Sequence, residues 1–600
     1  MSGRGILLAF AVTALAAQGN AALAAAKCDI GKVAELPTTM VGLRAHVTVK
    51  VDGQDTTFTV DSGAAVSFIN TETAQRMKLE MYPAPIGYYA KGAGGTDMRL
   101  NIVRVSLGID GIKIPNVVFL ALPSVDPGSG GVIGQNVLAA MDTEYDLGNG
   151  VIRLMHPSAD CEQANLAYWS GGRAVGVVEL NAIGPQSPHL RAEAKLNGQT
   201  LHVIFDTGAP VSYVKLAAAE KAGFRPEAAG VQASGPTTGI GGRVMESWVA
   251  PFDSLDIGGE QIQHTRLRVA NLSLDGSDML LGADFFLSHR IYYSKQQRRL
   301  YFTYNGGPVF QLGRPSVALT QAGTPAPAPA AAAQYADVPT DAAGFARRGE
   351  ASMSRHDYSG ALADFTRATE LDPKDAEYFR HRAEAHLGLH NGVLAMADFD
   401  EVLKLDPSDV RAHMQRAVLY LAAGDEHRAA DDFAAAIKAE PDRELIAASL
   451  YSASGRFEPA IVHYDAWIAG HPKSERMVDA LNGRCWARSL WGHDLDKALA
   501  DCEAAVRRGP HVAALFDSRG LAHLRRGELD LALADYNEAL KLQPKSAWSL
   551  YGRGLAKLQK GDKPGGEADI AAAAAIAPNL SAQAKRYGLS APGTPLKTAG

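Results

Sequence analysis

The feature that most constrains this chain is an internal repeat that sets the same acidic motif twice at the end of an apolar run. The first copy reads Phe-Thr-Val-Asp-Ser-Gly-Ala around Asp61, and the second reads Val-Ile-Phe-Asp-Thr-Gly-Ala around Asp206. An apolar-apolar-Gly segment follows each copy at nearly the same distance, with its glycine at Gly134 in the first and Gly282 in the second. Because motif and spacing both recur, the sequence predicts two equivalent folding units.

The region that contains both motifs, residues 40–305, consists of short β-branched and aromatic runs separated by Gly and Pro. Such runs are typical of β-strands, whereas helices need a longer apolar periodicity. Each copy also ends in a strand-like run, at residues 145–154 in the first and 291–302 in the second. We therefore expect two all-β lobes, at residues 27–160 and 161–305.

A Pro- and Ala-rich stretch at residues 306–343 cannot bury a core, so we expect an extended linker there. Beyond it, residues 344–580 repeat, and a small residue such as Ala361 precedes each marker proline at a nearly constant distance. The prolines recur almost evenly, with one short and one long interval that compensate each other, at Pro373, Pro407, Pro441, Pro472, Pro510, Pro544 and Pro578. A period of about 34 residues resembles the tetratricopeptide repeat, which implies an all-α solenoid of about seven helical hairpins and a short tail at residues 581–600.

The two acidic motifs and their distant Gly segments together resemble the retroviral and pepsin-like aspartic peptidases over nearly all of residues 40–305. A lone Asp-Thr-Gly or Asp-Ser-Gly is equally typical of an ordinary turn, so the resemblance depends on the whole constellation. It implies a multidomain chain in which two all-β retropepsin-like lobes precede the repeat solenoid. It also implies that Asp61 and Asp206 are a catalytic pair.

Two carboxyl groups suit the hydrolysis of a peptide bond. One group removes a proton from water while the other protonates the carbonyl oxygen, so a pair that shares one proton supplies both roles. Like charges about 3 Å apart do not ionise independently, and the pair titrates as a unit. Retroviral enzymes assemble from two identical lobes, so each lobe of this chain could pair within the chain or with another chain.

The neighbours of the two aspartates have candidate supporting roles. Gly63 and Gly208 permit a tight turn and a close approach of the two loops. The resemblance implies that the hydroxyls of Ser62 and Thr207 bond across the boundary between the lobes, although a hydrogen bond within each turn is the simpler alternative.

Ala64 and Ala209 stand where pepsin-like members often carry a hydroxyl residue that donates to the ionised pair. Alanine has no such donor, and a carboxylate that loses a donor has a higher pKa. We therefore expect activity at mildly acidic to neutral pH.

Two Gly-rich segments lie where the family places the flaps that close over substrate. An ordinary hairpin turn is the alternative for both. The candidate flap residues are Gly92, Gly94, Gly95, Gly239, Gly241 and Gly242.

The four cysteines suit two structural disulfides in an exported chain. Cys28 and Cys161 bracket the first lobe, and Cys485 and Cys502 fall on facing helices of one predicted hairpin. The sequence shows no Cys-x-x-Cys and no His or Asp at metal-ligand spacing from these cysteines, so we expect neither a metal nor another cofactor.

The first 26 residues resemble a secretory signal, with Arg4 before an apolar core and an Ala-rich cleavage zone at residues 21–26. The apolar core, from Ile6 to Ala17, is well short of the roughly 20 residues that cross a bilayer, so no integral membrane segment is expected. We expect a periplasmic protein. A net charge of -6 without a basic cluster also argues against nucleic acid as a partner.

An arginine recurs at one position of the helical repeat, at Arg348, Arg382, Arg416, Arg519 and Arg553. These arginines could form a basic ladder for an acidic ligand. The alternative is a solvated face paired with acids such as Asp364, Asp398, Asp432 and Asp535.

The sequence favours an exported aspartic endopeptidase that cleaves peptide or protein substrates and binds a protein partner through its repeats. The alternative is a catalytically inactive scaffold or peptide-binding protein of the cell envelope that retains the peptidase fold.

Overall fold

The structure is a computed structural model that describes residues 28–84, 101–122, 128–181, 189–238, 244–274, 276–310 and 338–590. The expected signal segment and all six candidate flap glycines lie outside these residues. The chain divides into two compact units, Met1–Asp372 and Pro373–Gly600.

The first lobe is built almost entirely of β-strands. Apolar residues alternate along them, so that one face of each strand enters the core, as Val47, Val49 and Val51 do. The strands are β1 (Ile30–Val41), β2 (Arg44–Val51), β3 (Gln54–Val60), β4 (Phe68–Asn70), β5 (Tyr82–Pro83), β6 (Asn101–Ile109), β7 (Ile112–Leu122), β8 (Gly131–Ile133), β9 (Asp142–Asp146) and β10 (Val151–Pro157). Two short helices, α1 (Thr71–Arg76) and α2 (Gln135–Leu138), follow β4 and β8.

The second lobe repeats this order. Its strands are β11 (Gly176–Glu179), β12 (Arg191–Leu196), β13 (Gln199–Phe205), β14 (Tyr213–Lys215), β15 (Gln232–Thr238), β16 (Val244–Ile257), β17 (Glu260–Ala270), β18 (Met279–Leu281), β19 (His289–Ser294) and β20 (Arg299–Tyr304). Helices α3 (Leu216–Lys221) and α4 (Ala283–Ser288) follow β14 and β18.

The same strand pairings position the acidic motif in both lobes. β3 runs parallel to β8, and β13 runs parallel to β18. Asp61 follows β3 and Gly134 follows β8, while Asp206 follows β13 and Gly282 follows β18. Each aspartate therefore leaves its sheet beside the start of a buried short helix.

A shared sheet joins the two lobes, with the strand order β11-β20-β19-β9-β10-β1. The contact between lobes is antiparallel, and it sets Ile291 of β19 opposite Tyr145 of β9. At the same boundary, the Tyr145 ring of the first lobe packs on the Phe286 ring of the second, with ring centroids 5.3 Å apart. Because the core is continuous across this boundary, the two lobes form one rigid support for the loops that carry the aspartates.

A disulfide between Cys28 and Cys161 ties the start of the first lobe to the segment that leads into the second. The next residues run across the shared sheet, where Trp169 donates from its indole nitrogen to the Thr303 hydroxyl at 2.8 Å.

The first helical hairpin, α5 (Ala342–Ser354) and α6 (Tyr358–Leu371), belongs to the same compact unit as the two lobes. Arg355, just after α5, donates from Nη1 to the carbonyl of Leu287 at 2.8 Å, near the end of α4. A side chain at Gly150 in the first lobe would collide with Arg347 of α5. The hairpin therefore contacts both lobes.

The second unit contains six further hairpins and a last short helix among its described residues. Small buried residues such as Ala395 and Ala429 let the two helices of a hairpin approach closely. The helices are α7 (Ala376–Gly388), α8 (Gly392–Leu405), α9 (Val410–Ala423), α10 (Glu426–Ala439), α11 (Arg443–Ala453), α12 (Phe457–Gly470), α13 (Met477–Trp491), α14 (Leu495–Arg508), α15 (Ala513–Arg526), α16 (Leu529–Leu542), α17 (Ala547–Gln559), α18 (Lys563–Ile576) and α19 (Leu580–Arg586). A second disulfide joins Cys485 and Cys502 in one hairpin. Within the described part of the chain, no helix is long and apolar enough to cross a membrane.

The recurring arginines pair with aspartates of their own hairpins. In each pair the guanidinium donates two hydrogen bonds to one carboxylate, at 2.6–3.0 Å, and the aspartate is buried. The pairs are Arg348–Asp364, Arg382–Asp398, Arg416–Asp432, Arg519–Asp535 and Arg553–Asp569. Two-pronged pairing of this kind fixes the geometry of a hairpin. The pairing with aspartates therefore favours a structural role for the arginines over a ladder that binds acidic ligands. The paired carboxylates are buried, so they do not form the solvated face that the alternative described.

Candidate active site

Two matching loops bring the aspartates to the boundary between the lobes. The amide of Asp61 donates to Ile133 O at 3.0 Å, and the amide of Asp206 donates to Leu281 O at 2.8 Å. These bonds extend the parallel pairing of each lobe by one residue. The backbone of each aspartate is therefore held by the sheet of its own lobe, and the chain turns at the glycine two residues later.

Gly63 and Gly208 each lie directly beside the carboxyl group of the opposite lobe. A Cβ on Gly63 would come within 2.3 Å of the Asp206 carboxyl carbon, and one on Gly208 within 2.2 Å of the Asp61 carboxyl carbon. No side chain fits at these distances, so glycine is required at both positions. The arrangement brings Asp61 and Asp206 together in one chain.

The hydroxyls of Ser62 and Thr207 cross the boundary between the lobes. Ser62 donates from Oγ to the carbonyl of Phe205 and accepts from the amide of Thr207, at 2.9 and 3.0 Å. Thr207 donates from Oγ1 to the carbonyl of Val60 and accepts from the amide of Ser62, both at 2.9 Å. Both residues are fully buried. Four hydrogen bonds therefore hold the two loops in a fixed register.

The carboxyl groups also receive bonds from their own turns. The amide of Gly63 donates to Asp61 Oδ1 at 2.7 Å, and the amide of Gly208 donates to Asp206 Oδ1 at 2.9 Å. Burial, the charge of Asp206 and a hydrogen bond with the Asp206 carboxyl raise the pKa of Asp61 well above its usual value. The donors from the turn oppose this rise without cancelling it.

Ala64 and Ala209 hold the loops through their backbones. The carbonyl of Ala64 accepts from the amide of Gln135, and the carbonyl of Ala209 accepts from the amide of Ala283, both at 2.8 Å. These amides begin α2 and α4, so each loop caps a helix of its own lobe.

A serine six residues after each aspartate binds the glycine that precedes the short helix of its lobe. Ser67 Oγ accepts from the amide of Gly134, and Ser212 Oγ accepts from the amide of Gly282, both at 2.9 Å. Sequence analysis missed both serines, although their equal spacing from the aspartates was an available signal.

The partners of these serines differ between the lobes. Ser67 donates to Oδ1 of Asn136 at 2.7 Å, whereas Ser212 donates to Oδ1 of Asp284 at 2.6 Å. Asn136 is exposed, whereas Asp284 is 2% exposed. The support is therefore neutral in the first lobe and a buried carboxyl in the second.

Gln135 supplies a contact that the second lobe lacks. Its Nε2 donates to the carbonyl of Ser62 at 2.7 Å, whereas the matching residue in the second lobe, Ala283, has no polar side chain.

Comparison with known proteins finds a matching family in each of the two lobes. A family model described as Aspartyl protease matches residues 47–137 and 192–285, one segment in each lobe. The chain carries a retropepsin-like aspartyl protease region in two segments. Both segments include the acidic motif and the Gly segment that follows it, which confirms the predicted resemblance and fold class.

The helical part of the chain matches two repeat models. A Tetratricopeptide repeat model matches residues 347–410 and 394–444, and a TPR repeat model matches residues 520–561. A solved tetratricopeptide repeat protein from Parabacteroides merdae is 17% identical over 41% of this chain and 96% of its own, with a TM-score of 0.35. The C-terminal part of a repeat protein from Cytophaga hutchinsonii is 15% identical over 40% of this chain and 98% of its own, with a TM-score of 0.31. The comparison with curated proteins returns no match.

A buried ion cluster lies where the two lobes share a sheet. Glu144 of β9 is fully buried, and its Oε1 lies 3.0 Å from Nη2 of Arg290 on β19 and 2.5 Å from Nη1 of Arg153. Tyr168, in the segment between the lobes, donates to the other carboxylate oxygen at 2.6 Å. Because a buried carboxylate is costly without partners, this cluster fixes how the lobes pair. Sequence analysis missed it.

The described residues contain no group of three or more His, Cys, Asp or Glu side chains placed to hold a metal ion.

Proposed function

We propose that this chain is an exported aspartic endopeptidase whose catalytic pair is Asp61 and Asp206. The observation that supports this most strongly is the close approach of each carboxyl to the glycine of the opposite loop within a single chain. A surface-exposed turn has no need of such an approach. The raised pKa of Asp61 adds support, because a pair that works as acid and base must keep one proton.

The reaction uses both carboxyls in turn. The ionised carboxyl takes a proton from water as the water oxygen bonds to the scissile carbonyl carbon, and the protonated carboxyl gives its proton to the carbonyl oxygen. The resulting tetrahedral diol then breaks its C–N bond. The carboxyl that took its proton from water gives that proton to the departing nitrogen, while one diol hydroxyl gives its proton to the other carboxyl, so the pair again holds one shared proton.

The same pair sets the expected pH dependence. A carboxyl with a raised pKa keeps its proton to higher pH, so activity falls only as pH rises through the raised pKa of Asp61. At low pH both carboxyls are protonated and the base is lost. We predict a bell-shaped profile of kcat/KM with its optimum at mildly acidic to neutral pH, measured with a fluorogenic peptide.

The variants Ala64→Thr and Ala209→Thr sharpen this prediction. A hydroxyl that donates to the ionised pair lowers its pKa, so the alkaline limb of the profile moves to lower pH. An optimum of the unaltered protein at about pH 2 would contradict the proposal.

The repeats support a second part of the proposal. Tetratricopeptide repeats stack into surfaces that bind proteins, so we infer that the second unit recruits substrate or a partner protein. The Cys28–Cys161 and Cys485–Cys502 disulfides support an oxidising compartment, such as the periplasm.

Hydrolysis of a mixed peptide library tests the catalytic part. We expect cleavage by the unaltered protein and a loss of about 10³-fold or more in both Asp61→Asn and Asp206→Asn. Asp55→Asn is the matched control, because Asp55 is exposed and pairs only with exposed Lys50 among the ion pairs described for it. Unchanged cleavage in either active-site variant would refute the pair. No cleavage by the unaltered protein would favour the alternative, an inactive peptidase-fold protein that binds peptides.

A further inference from the structure

The last helix of the second unit, α19, ends against the repeat hairpins. Gly588 has a φ of 70°, and the Leu589 amide closes the helix end by donating to Ala584 O at 3.0 Å. Leu580 and Leu589 are each 4% exposed, and Ala584 is fully buried. We call residues 580–590 the C-terminal anchor.

The C-terminal anchor contacts three separate hairpins. The Tyr587 ring packs on Phe457 at the start of α12, with ring centroids 5.5 Å apart. Arg525, at the end of α15, donates to the Tyr587 carbonyl. The hydroxyl of Tyr551 in α17 donates to the Leu589 carbonyl at 3.2 Å. The anchor therefore lies across a groove lined by α12, α13, α15 and α17 and does not simply cover the last hairpin.

Arg525 is held ready for a main-chain carbonyl. It donates from Nε to Ser489 O and from Nη2 to Leu490 O, both at 2.9 Å. These bonds to the end of α13 fix the guanidinium, so it recognises the terminal carbonyls of a helix without first being ordered.

The groove has room beyond the anchor. A cavity of about 1180 Å³ lies beside it, which is larger than the roughly 300 to 1,000 Å³ of most small-molecule pockets. Its apolar lining includes Phe457, Trp491, Leu524 and Leu555, together with Tyr587 of the anchor itself.

The anchor has the pattern of a helix that binds in a groove. Leu580, Ala584 and Tyr587 follow the spacing i, i+4 and i+7, which places apolar side chains on one helix face. α19 spans seven residues, too few to be a stable helix in water. Its helical form therefore depends on the groove, and a longer helix with the same face is a better occupant.

We propose that this groove is a receptor site for an amphipathic helix of a partner protein, and that the C-terminal anchor is a built-in competitor for it. The partner helix presents apolar residues at i, i+4 and i+7, and its final carbonyls accept from Arg525. This proposal rests on the proposed role of the repeats in binding a partner, but it does not depend on peptidase activity. A negative cleavage assay leaves it standing, and a negative binding assay leaves the catalytic proposal standing.

Binding of a fluorescein-labelled synthetic peptide of residues 580–590 to the full-length chain tests the proposal. An intramolecular competitor acts at an effective concentration in the millimolar range, so the unaltered protein binds the free peptide weakly. We expect Tyr587→Ala in the full-length chain to lower the Kd by about tenfold or more. Gln583→Ala is the matched control, because Gln583 is exposed on the same helix and does not line the cavity, and this variant should bind as the unaltered protein does.

Adding Arg525→Met to Tyr587→Ala should abolish the gain in affinity. Equal affinities of the unaltered protein and Tyr587→Ala, or no binding to Tyr587→Ala, would overturn the proposal and make α19 a permanent cap. If Tyr587→Ala fails to fold, hydrogen exchange of the unaltered protein decides. Excess unlabelled peptide should accelerate exchange at the amides of Gly588 and Leu589, and unchanged rates would overturn the proposal.

Discussion

The two protease lobes build the same loop on different supports. Both loops end a strand with Asp, a hydroxyl residue and Gly, and both use a serine six residues later. In the first lobe, an exposed amide at Asn136 and the side chain of Gln135 complete the support. In the second lobe, a buried carboxyl at Asp284 does so, and Arg355 from the first helical hairpin holds the end of the adjoining helix.

This difference shows where symmetry is needed. The four hydrogen bonds that cross the boundary are nearly equal in length, at 2.9 to 3.0 Å, because both loops must meet the same partner. One layer further out, each lobe packs against different neighbours, so the side chains have diverged. The loops that carry the aspartates are therefore constrained by each other, and the supporting side chains by their own surroundings.

The largest effect should come from removing either crossing hydroxyl. Ser62→Ala orphans the Thr207 amide and the Phe205 carbonyl, and Thr207→Ala orphans the Ser62 amide and the Val60 carbonyl. Each orphaned buried group costs about 1 to 3 kcal/mol, so each variant should lose about 2 to 6 kcal/mol of unfolding free energy. Denaturant unfolding measures this loss, and Thr207→Ser should retain most of the stability. Unequal losses in the two alanine variants would contradict the inference that the two hydroxyls contribute equally to the contact between the lobes.

A smaller effect, strongest in the helix α4 of the second lobe, should follow Arg355→Met. The Leu287 carbonyl then loses a charged donor, at a cost of about 1.5 to 3 kcal/mol. Hydrogen exchange should speed up in α4 and leave α2 of the first lobe unchanged. Arg355→Lys keeps the charge, so its unfolding free energy should lie between that of the unaltered protein and that of Arg355→Met. Equal changes in α2 and α4 would mean that the hairpin supports both lobes alike.

Exchanging the two supports should have unequal results. Asp284→Asn removes a carboxylate that accepts from both the amide and the hydroxyl of Ser212, and should cost about 1 to 2 kcal/mol. Asn136→Asp alters an exposed residue and should stay within about 0.5 kcal/mol. Thermal unfolding of the two variants measures the difference. Equal losses would show that burial does not distinguish the supports.

The smallest effect should come from Gln135→Ala. This change makes the first lobe like the second at that position, and removes one hydrogen bond to the Ser62 carbonyl. We expect a loss of about 0.5 to 1.5 kcal/mol by denaturant unfolding, with kcat nearly unchanged. A large fall in kcat would instead assign Gln135 a role in placing the aspartates.

Much of the architecture was accessible to sequence reasoning because it repeats. Duplicated motifs predicted two β lobes, and the regular spacing of the marker prolines predicted the helical solenoid, since each feature reports a backbone geometry that recurs. The hydroxyls of Ser62 and Thr207 were identified through the family resemblance, and the structure places both across the boundary.

Contacts that occur only once in the molecule could not be predicted from the sequence. Glu144 and Arg290 lie in strands that resemble half-exposed ones in sequence, and only the pairing of two lobes buries them. Arg355 lies in the predicted repeats, and its contact with Leu287 depends on how a hairpin docks on a lobe.

Mixing the two single variants, Asp61→Asn and Asp206→Asn, tests most directly whether one chain supplies the whole catalytic pair. Each variant retains one intact aspartate, so lobes that paired between chains would rebuild complete sites in the mixture. A pair formed within one chain predicts that the mixture hydrolyses peptide no faster than either variant alone, at every protein concentration. Recovery of hydrolysis on mixing would contradict the account.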